Sequence, residues 1–473
     1  MEDLKYVGEY SLELLKLVVA SRTEPLNLKG NFQGLTLYED IFEPVISGQL
    51  LITDPIALPT LGPITGQEEL LIKLKTPTIG DPDKIVEFID QPLIVTHVSN
   101  RQSIGKDIEG YLLNFTTRQV MKDRRLRVSK SLNGTYSTIV KEMFDVSGCS
   151  KRPTYIEETS GIKRIIASNE HPFDIIRMCA ANALSTKTKS PTYMFFENIR
   201  GYHFRSLDSM YAQKSIHKLE PKIAGTLMDK GLHTIKEQLE NILDYRIRMG
   251  KDTLLQTNDG IFGSKMIVWN MFDKSYSTNQ YDMIKNKSEE RGVNYYHKNG
   301  KDFSPYSETT DKDGMNISEK PAKTFLSSTS NTTGQFQPGK DSSFVLDSGS
   351  YPVSPTDDLD VKQRRKSQLN RVREGVDLEV KCYGNTLLSV GDIVSCNIPT
   401  KMTVEKTASE KLDPRYSGEY LITHIRHDFS VQEDYKHEMQ IKLTRDSISE
   451  EIEVTPTQYD SGKRQDESYG EFY

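Results

Sequence analysis

The chain has 473 residues, a net charge of −6 and 36% hydrophobic residues. A chain of this length is too long to fold around a single hydrophobic core, so we predict two to four domains. The acidic balance argues against a large nucleic-acid footprint, and no apolar run reaches the roughly 18 residues that a membrane-spanning helix needs. The acidic start at residues 1–3 lacks a signal-peptide pattern, so we expect assembly in a cytoplasm.

Residues 1–118 are predicted to form a β-domain. Apolar residues alternate with polar ones at 46–53, 70–75, 93–99 and 111–117, the period-two pattern of strands that have one buried face. Many short strands without intervening helices favour an antiparallel barrel or sandwich.

Residues 119–239 are predicted to form a small α/β domain and a connector. The spacing of apolar residues predicts one helix over 131–144 and a second that begins after Pro172, since proline suits a first turn. Segments 164–167 and 193–196 are strand-like.

The remainder is predicted to contain a second β-barrel, built from 240–283 and 376–448, with strands at 243–248, 253–256 and 264–269 in its first part. Residues 284–375 are a polar insertion that ends in a basic helix at 361–374, and we expect the insertion to add little core. In that helix Leu369 and Val372 are predicted to dock on the barrel, while the basic residues face outward.

Residues 449–473 carry seven acidic residues and two basic ones, and we expect a mobile tail.

Candidate chemical motifs are weak. His424 and His427 stand three apart in a predicted strand, so their side chains point to opposite faces and cannot share a metal ion. The segment 260–265 (GIFGSK) lacks the spacing of a phosphate-binding loop, and a turn between strands explains it better. Cys382 and Cys396 could face each other across a hairpin, although a reducing compartment disfavours a disulfide.

The acidic pairs offer no better catalytic candidates. Asp81 and Asp83 lie in a proline-rich turn, and Glu68 and Glu69 are adjacent, so one of them points inward and one outward on a strand. The patterns GxSxG, HExxH and GxGxxG are absent from the sequence. We therefore predict no catalytic residue, no cofactor and no metal site. The basic helix could bind phosphate or an acidic protein, or simply present a solvated face.

An ordered set of sequence strings carries a family resemblance. The strings are LYEDIFEPVISGQLLITD at 37–54, GPITGQEE at 62–69, RVSKS at 127–131, NEHPFD at 169–174, FFENIRGYHFRS at 195–206, GNTLLSVGDIV at 384–394 and SGEYLITHIRH at 417–427. Together they resemble the baseplate hub proteins of contractile phage tails, whose architecture is shared with the hub region of VgrG. The resemblance covers about 1–283 and 361–447.

The resemblance implies a mainly β fold with α+β parts, in which two tube-protein-like antiparallel barrels flank a small α/β domain. It also implies a homotrimer, because three chains with two barrels each give a pseudo-hexameric ring. Such a ring adapts a six-fold tail tube to a three-fold central spike. The implied partners are the spike, the tube or a tube initiator, and neighbouring baseplate proteins of the virion, with no direct binding to nucleic acid or membrane.

Two other functions stay open on the sequence alone. A virion-associated wall hydrolase would need convergent acidic or nucleophilic residues in a cleft. A receptor-binding adhesin often contains repeats, and no fixed-period repeat is visible here.

Overall fold

The structure is a computed structural model, and it places the chain in 21 strands and eight α-helices within the described residues. It describes residues 7–20, 22–55, 58, 64–78, 84–105, 108–221, 235–249, 252–270, 274–285, 291–298, 300, 317–329, 359–373, 375–399, 412–413, 415–431 and 436–448. The helices are α1 (Arg118–Arg125), α2 (Tyr136–Ser147), α3 (Pro172–Asn182), α4 (Leu207–Tyr211), α5 (Ile235–Leu239), α6 (Thr253–Asn258), α7 (Val293–His297) and α8 (Leu359–Arg373).

The strands of the first half are β1 (Ser11–Val18), β2 (Leu26–Asn27), β3 (Phe32–Asp40), β4 (Ser47–Asp54), β5 (Glu69–Lys75), β6 (Ile85–Ser103), β7 (Glu109–Thr117), β8 (Val128–Gly134), β9 (Thr154–Ile156), β10 (Lys163–Glu170), β11 (Tyr193–Asn198) and β12 (Gly201–Ser206). Those that follow are β13 (His217–Leu219), β14 (Ile242–Met249), β15 (Gly263–Asn270), β16 (Ser275–Asp282), β17 (Lys323–Thr329), β18 (Val376–Tyr383), β19 (Ile393–Cys396), β20 (Gly418–Ser430) and β21 (Lys436–Arg445).

One 13-stranded sheet dominates the molecule. Its strand order is β14-β18-β21-β20-β3-β4-β7-β6-β5-β1-β2, and β19 and β13 branch from β20. All its pairings are antiparallel except that of β13 with β19. The predicted mainly β fold with α+β parts is confirmed.

The large sheet carries two separate hydrophobic cores. Alternate residues of β1 and β3–β7 form the first core, so this half of the sheet has one buried face. Residues of β14, β18–β21, α4 and the C-terminal part of α8 form the second core. We call these two halves of the sheet the first and the second β-module. The predicted strands at 46–53, 70–75, 93–99 and 111–117 all lie in the first.

Residues between the two β-modules form an α/β module around a third core. The strand β8 pairs with β10 and continues to Gly134, so the helix that was predicted from Ser131 begins only at Tyr136. The Thr135 side chain accepts a hydrogen bond from the Thr138 amide and caps this helix, and Gly148 ends it at a φ of 86°. The helix predicted after His171 begins at Pro172 as expected.

Three predictions for residues 240–283 need correction. The segment predicted as a strand at 253–256 lies in α6, because Asp252 accepts a hydrogen bond from the Leu255 amide and caps a helix there. The strands β15 and β16 do not join the large sheet and pair instead with each other and with β17. The turn at Gly260, which has a φ of 72°, therefore joins a helix to a strand rather than two strands.

The polar insertion contributes more to the fold than its composition predicts. Its segment β17 pairs in parallel with β15. In α7, Val293 is fully buried in the second core, and the Asn294 side-chain amide donates to the carbonyl of Ser447 at 2.9 Å and to its hydroxyl at 3.0 Å. The expectation that the insertion adds little core is wrong for these segments, because a few well-placed residues suffice to anchor it.

The basic helix α8 is present, but its packing differs from the prediction. Val372 is buried, as predicted, and Leu369 packs against the second core. However, Arg364 is only 5% exposed, and its guanidinium donates to the carbonyl of Lys189 at 3.2 Å. Not all the basic residues face outward, because an arginine can be buried where backbone carbonyls accept its hydrogen bonds.

The anchoring role of the insertion is testable at Asn294. We expect Asn294→Ala to lower the free energy of unfolding by about 1–3 kcal/mol, since it removes the side-chain donor to the buried Ser447 carbonyl, while the Asn294 backbone amide still donates to the Ser447 hydroxyl. The exposed Asn27, which accepts a hydrogen bond from the Lys29 amide at 3.1 Å, supplies the control Asn27→Ala, with a cost below about 1 kcal/mol. Urea denaturation measures both, and equal costs would show that α7 does not anchor the insertion.

Candidate functional site at the junction of the modules

The strand pair β3–β20 joins the two β-modules. It runs from Gly34 opposite Ser430 to Asp40 opposite His424, between residues almost 400 positions apart in the chain. The side chain of Phe429 on β20 lies in the core of the first module. The seam therefore makes the two modules one continuous sheet, with β20 contributing to both cores.

A single carboxylate beside this seam contacts all three modules. Glu39 on β3 is only 1% exposed. One of its oxygens accepts a hydrogen bond from the Ile199 amide in the α/β module, and the other accepts from the Val390 amide in the second β-module, both at 3.1 Å. Burial raises the pKa of Glu39 to about 7, although these two amides and Arg200 oppose the shift. The three modules thus meet at one buried side chain.

Glu197 ties the α/β module to the first β-module in the same way. Its fully buried carboxylate accepts hydrogen bonds from the Ile46 amide at 3.0 Å and from the Thr117 hydroxyl at 2.6 Å. It also forms an ion pair with Arg152, which is 10% exposed. Burial raises the pKa of Glu197, and the charge of Arg152 opposes that rise. Loss of either partner would leave an uncompensated buried charge, which is strongly destabilising.

A clamp holds the loop before β19 against the α/β module. The guanidinium of Arg200 binds both carboxylate oxygens of Asp392, one of them at 2.8 Å. Asp392 also accepts from the Ser389 amide at 2.9 Å, and the Asn198 side chain donates to the Val390 carbonyl at 3.2 Å. Because a bidentate arginine–carboxylate contact fixes orientation as well as distance, it holds the Val390 amide in position to donate its hydrogen bond to Glu39.

Two buried histidines complete the junction. The ring nitrogens His427 Nδ1 and His437 Nε2 are 3.2 Å apart, and His427 Nε2 lies 4.0 Å from a carboxylate oxygen of Glu39. Burial lowers the pKa of His427 to about 4 and, together with the neighbouring His427, lowers that of His437. Both rings are neutral near pH 7. A side chain at Gly384 would collide with the His437 ring at 1.9 Å, so only glycine fits there.

The structure separates the histidines that the sequence singled out. His427 is buried, whereas His424 is part-exposed and pairs with Asp40 at 3.2 Å. The described residues contain no group of three His, Cys, Asp or Glu side chains that could hold a metal ion.

The acidic candidates are also accounted for where the structure describes them. Glu68 accepts hydrogen bonds from the Thr65, Gly66 and Gln67 amides and caps a loop, while Glu69 pairs with Arg118 at 3.1 Å. One therefore points inward and one outward, as predicted. Asp81 and Asp83 lie outside the described residues.

Burial also determines the state of the cysteines and of the other groups with strongly shifted pKa values. The four cysteines are free and buried, and burial raises the pKa of Cys149, Cys179 and Cys382 to about 12, so these thiols stay protonated and unreactive. Across the described chain, the strongly shifted groups owe their pKa values chiefly to burial in packed interiors, not to an open cleft. No described helix is long and apolar enough to cross a membrane.

Sequence reasoning missed the residues of this junction as functional candidates. Glu39, Glu197, Arg200 and Asp392 belong to none of the chemical patterns that were searched. The available signal was indirect, because these four residues lie inside three of the strings that carry the family resemblance, at 37–54, 195–206 and 384–394. A fourth string, at 417–427, contributes His427. The structure brings all four strings together at one place.

Comparison with known proteins adds a likeness of fold. No protein-family model and no curated protein matches the chain. Among solved structures, the tail protein from Neisseria meningitidis MC58 has a TM-score of 0.49 and 12% identity, over 92% of this chain and 96% of that one. The 43 kDa tail protein of prophage MuSo2 from Shewanella oneidensis has a TM-score of 0.46 and 9% identity, over 91% and 98%. The prophage tail protein gp18 from Listeria monocytogenes has 0.44 and 8%, over 91% and 94%.

The buried Glu39 predicts a specific pH dependence of stability. Its folded pKa of about 7 lies above the ordinary value of 4.5, so the stability that it contributes is complete below pH 4.5 and is lost as the pH rises through 7. In Glu39→Gln this titration is absent. The free energy of unfolding of the wild type minus that of the variant should therefore fall by about 3 kcal/mol between pH 4.5 and 8.

Urea denaturation of both proteins across this pH range is the measurement. A difference that does not change with pH would show that Glu39 is not held in a dry junction.

Proposed function

We propose that this chain is a structural protein of a contractile phage tail and that three copies form its baseplate hub. The observation that carries the proposal is the seam at β3–β20, which holds two β-modules of one chain in a fixed relative orientation. Three chains would present six such modules in a closed ring. Most soluble homo-oligomers have closed point-group symmetry, and a three-fold ring is one such form.

The location of the resembling strings supports the same function. The strings at 37–54, 195–206, 384–394 and 417–427 supply the side chains that join the modules. In this proposal residues 1–118 form one barrel-like domain, and 376–448 with the first part of 240–283 form the other. Residues 119–239 form the α/β domain between them.

The proposed partners are proteins. The ring would adapt a six-fold tail tube, or a tube initiator, to a three-fold central spike, and it would contact neighbouring baseplate proteins in the virion. An open groove of about 580 Å³ crosses the strands around the seam. Its lining includes Asp40, Arg246, Lys381, His424 and Arg426, and this mixture of charges suits a polar protein contact better than a small apolar ligand.

The oligomeric state tests the proposal. For the full chain, alone and mixed with its cognate spike, we expect mass photometry to give a particle of three times 53.9 kDa, or that trimer plus the spike. Negative-stain images should show a three-fold particle with a central lumen, because six modules must enclose the tube axis.

A monomer in both preparations would refute the hub. Two further readouts separate the alternatives. Clearing of peptidoglycan in a zymogram, abolished by changing one acidic residue or histidine, would favour a wall hydrolase. An elongated fibre without a lumen would favour an adhesin.

A further inference from the structure

A basic cleft separates α3 from α8 on the surface of the protein. It encloses about 410 Å³, and its lining includes Lys362, Arg365, Lys366 and Arg373 of α8. With Leu369 and Asn370, these residues recur at intervals of three and four along one face of the helix. At this spacing a helix on a protein surface normally carries its apolar, core-facing stripe. Here four of the six residues of the stripe are cationic, and all six line the cleft.

The opposite face of α8 fixes the helix to the protein and leaves the cationic face available. Gln363 donates to the Ser264 carbonyl at 3.2 Å, and the Ser367 hydroxyl donates to the Ile261 carbonyl at 3.0 Å and accepts from the Tyr281 hydroxyl at 2.9 Å. The cleft is thus a preformed surface rather than a product of side-chain mobility.

Within the described part of the chain, Arg365 and Lys366 form no close ion pair with a carboxylate, although the charge of Asp259 acts on Lys366. Arg365 donates to the Tyr193 carbonyl at 2.9 Å, and Lys366 donates to the Asp259 carbonyl at 2.9 Å. Lys366 also lies over the Phe325 ring, 4.6 Å from its centre. Burial and the nearby charge of Arg373 lower the pKa of Arg365 to about 10. Like charges gathered at one cleft repel one another, so an anion bound there would relieve this repulsion.

The chain itself contains an anion of matching character. Residues 449–473 include seven acidic residues against two basic ones and hold nearly all of the net charge of −6. The described chain leads into this segment at Ile448, three residues after Arg445. The backbone carbonyl of Arg445 lies against Gly375, two residues beyond the end of α8. The segment therefore departs close to one end of the basic helix.

Length allows the contact. The helix α8 has 15 residues and is about 22 Å long at roughly 1.5 Å per residue. An extended chain covers up to about 3.3 Å per residue, so a few residues after Ile448 are enough to reach the middle of the cleft.

We propose that the cleft between α3 and α8 is a binding site for carboxylate-bearing peptide and that residues 449–473 of the same chain occupy it. Arginine guanidinium groups bind carboxylates through two parallel hydrogen bonds, and each lysine ammonium group adds a compact positive charge. The proposal concerns this chain alone and does not depend on the hub function.

Zero-length carbodiimide cross-linking of the full chain tests the proposal, because it joins lysine amines only to carboxylates in direct contact. We expect mass spectrometry to find links from Lys362 and Lys366 to the acidic residues of 449–473. In an equal mixture of ¹⁴N- and ¹⁵N-labelled protein, these links should join peptides of the same label. They should become rarer in 0.5 M salt, which shortens the screening length to less than about 5 Å.

Controls separate a specific site from general attraction. The exposed Lys29 and Lys141 should link to 449–473 several-fold less often than the cleft lysines do. The variant Arg373→Gln removes one exposed cleft charge but neither reactive lysine, so it should reduce the links several-fold. Its matched control, Arg101→Gln, removes an exposed arginine that pairs with Glu109 at 2.7 Å and should leave them unchanged.

Three results would overturn the proposal. The first is links from Lys362 and Lys366 only to Asp357, Asp358 or Asp360, which would mean that local acids occupy the cleft. The second is links only between peptides of unlike label, which would place the segment on another copy. The third is equal linkage at Lys29 and Lys141.

Discussion

The arrangement of the three modules depends on the Glu39 carboxyl group. It accepts one hydrogen bond from an amide of the α/β module and one from an amide of the second β-module, while its own strand pairs with β20. Each of these contacts is modest alone, but all three converge on a group from which water is excluded. Because an unsatisfied buried amide is costly, displacement of any one module would strand polar groups on the other two. The junction thereby favours one relative orientation of the modules.

A fixed orientation of the two β-modules is what the proposed ring subunit requires. If the two β-modules of a chain turned freely about a linker, three chains could not place their six modules at equal angles around one ring axis. The seam removes that freedom, and Glu197 and the Arg200–Asp392 clamp hold the α/β module against it. Burial at the junction accounts for the shifted pKa values of its carboxyl and imidazole groups.

The sequence predicts local structure well and the junction poorly. Period-two patterns placed β4, β5 and β7, and Pro172 marked the start of α3. The pairing of β3 with β20 joins residues almost 400 positions apart, and no local pattern encodes such a contact. Likewise, Val293 and Asn294 lie in a polar segment whose composition hides two anchoring residues. The apolar pattern at 253–256 predicts a strand, whereas the Asp252 side chain caps a helix there.

Native-state hydrogen exchange at the seam tests the central claim most directly. If β3 and β20 join the modules into one unit, their paired amides should exchange only through the same global opening as the amides of β4 and β7 in the first core. As the denaturant concentration increases, the free energies of opening of the amides in all four strands should then converge on one common value. Seam amides that open at much lower free energy, while both cores stay protected, would show that the modules are independent and would contradict the account.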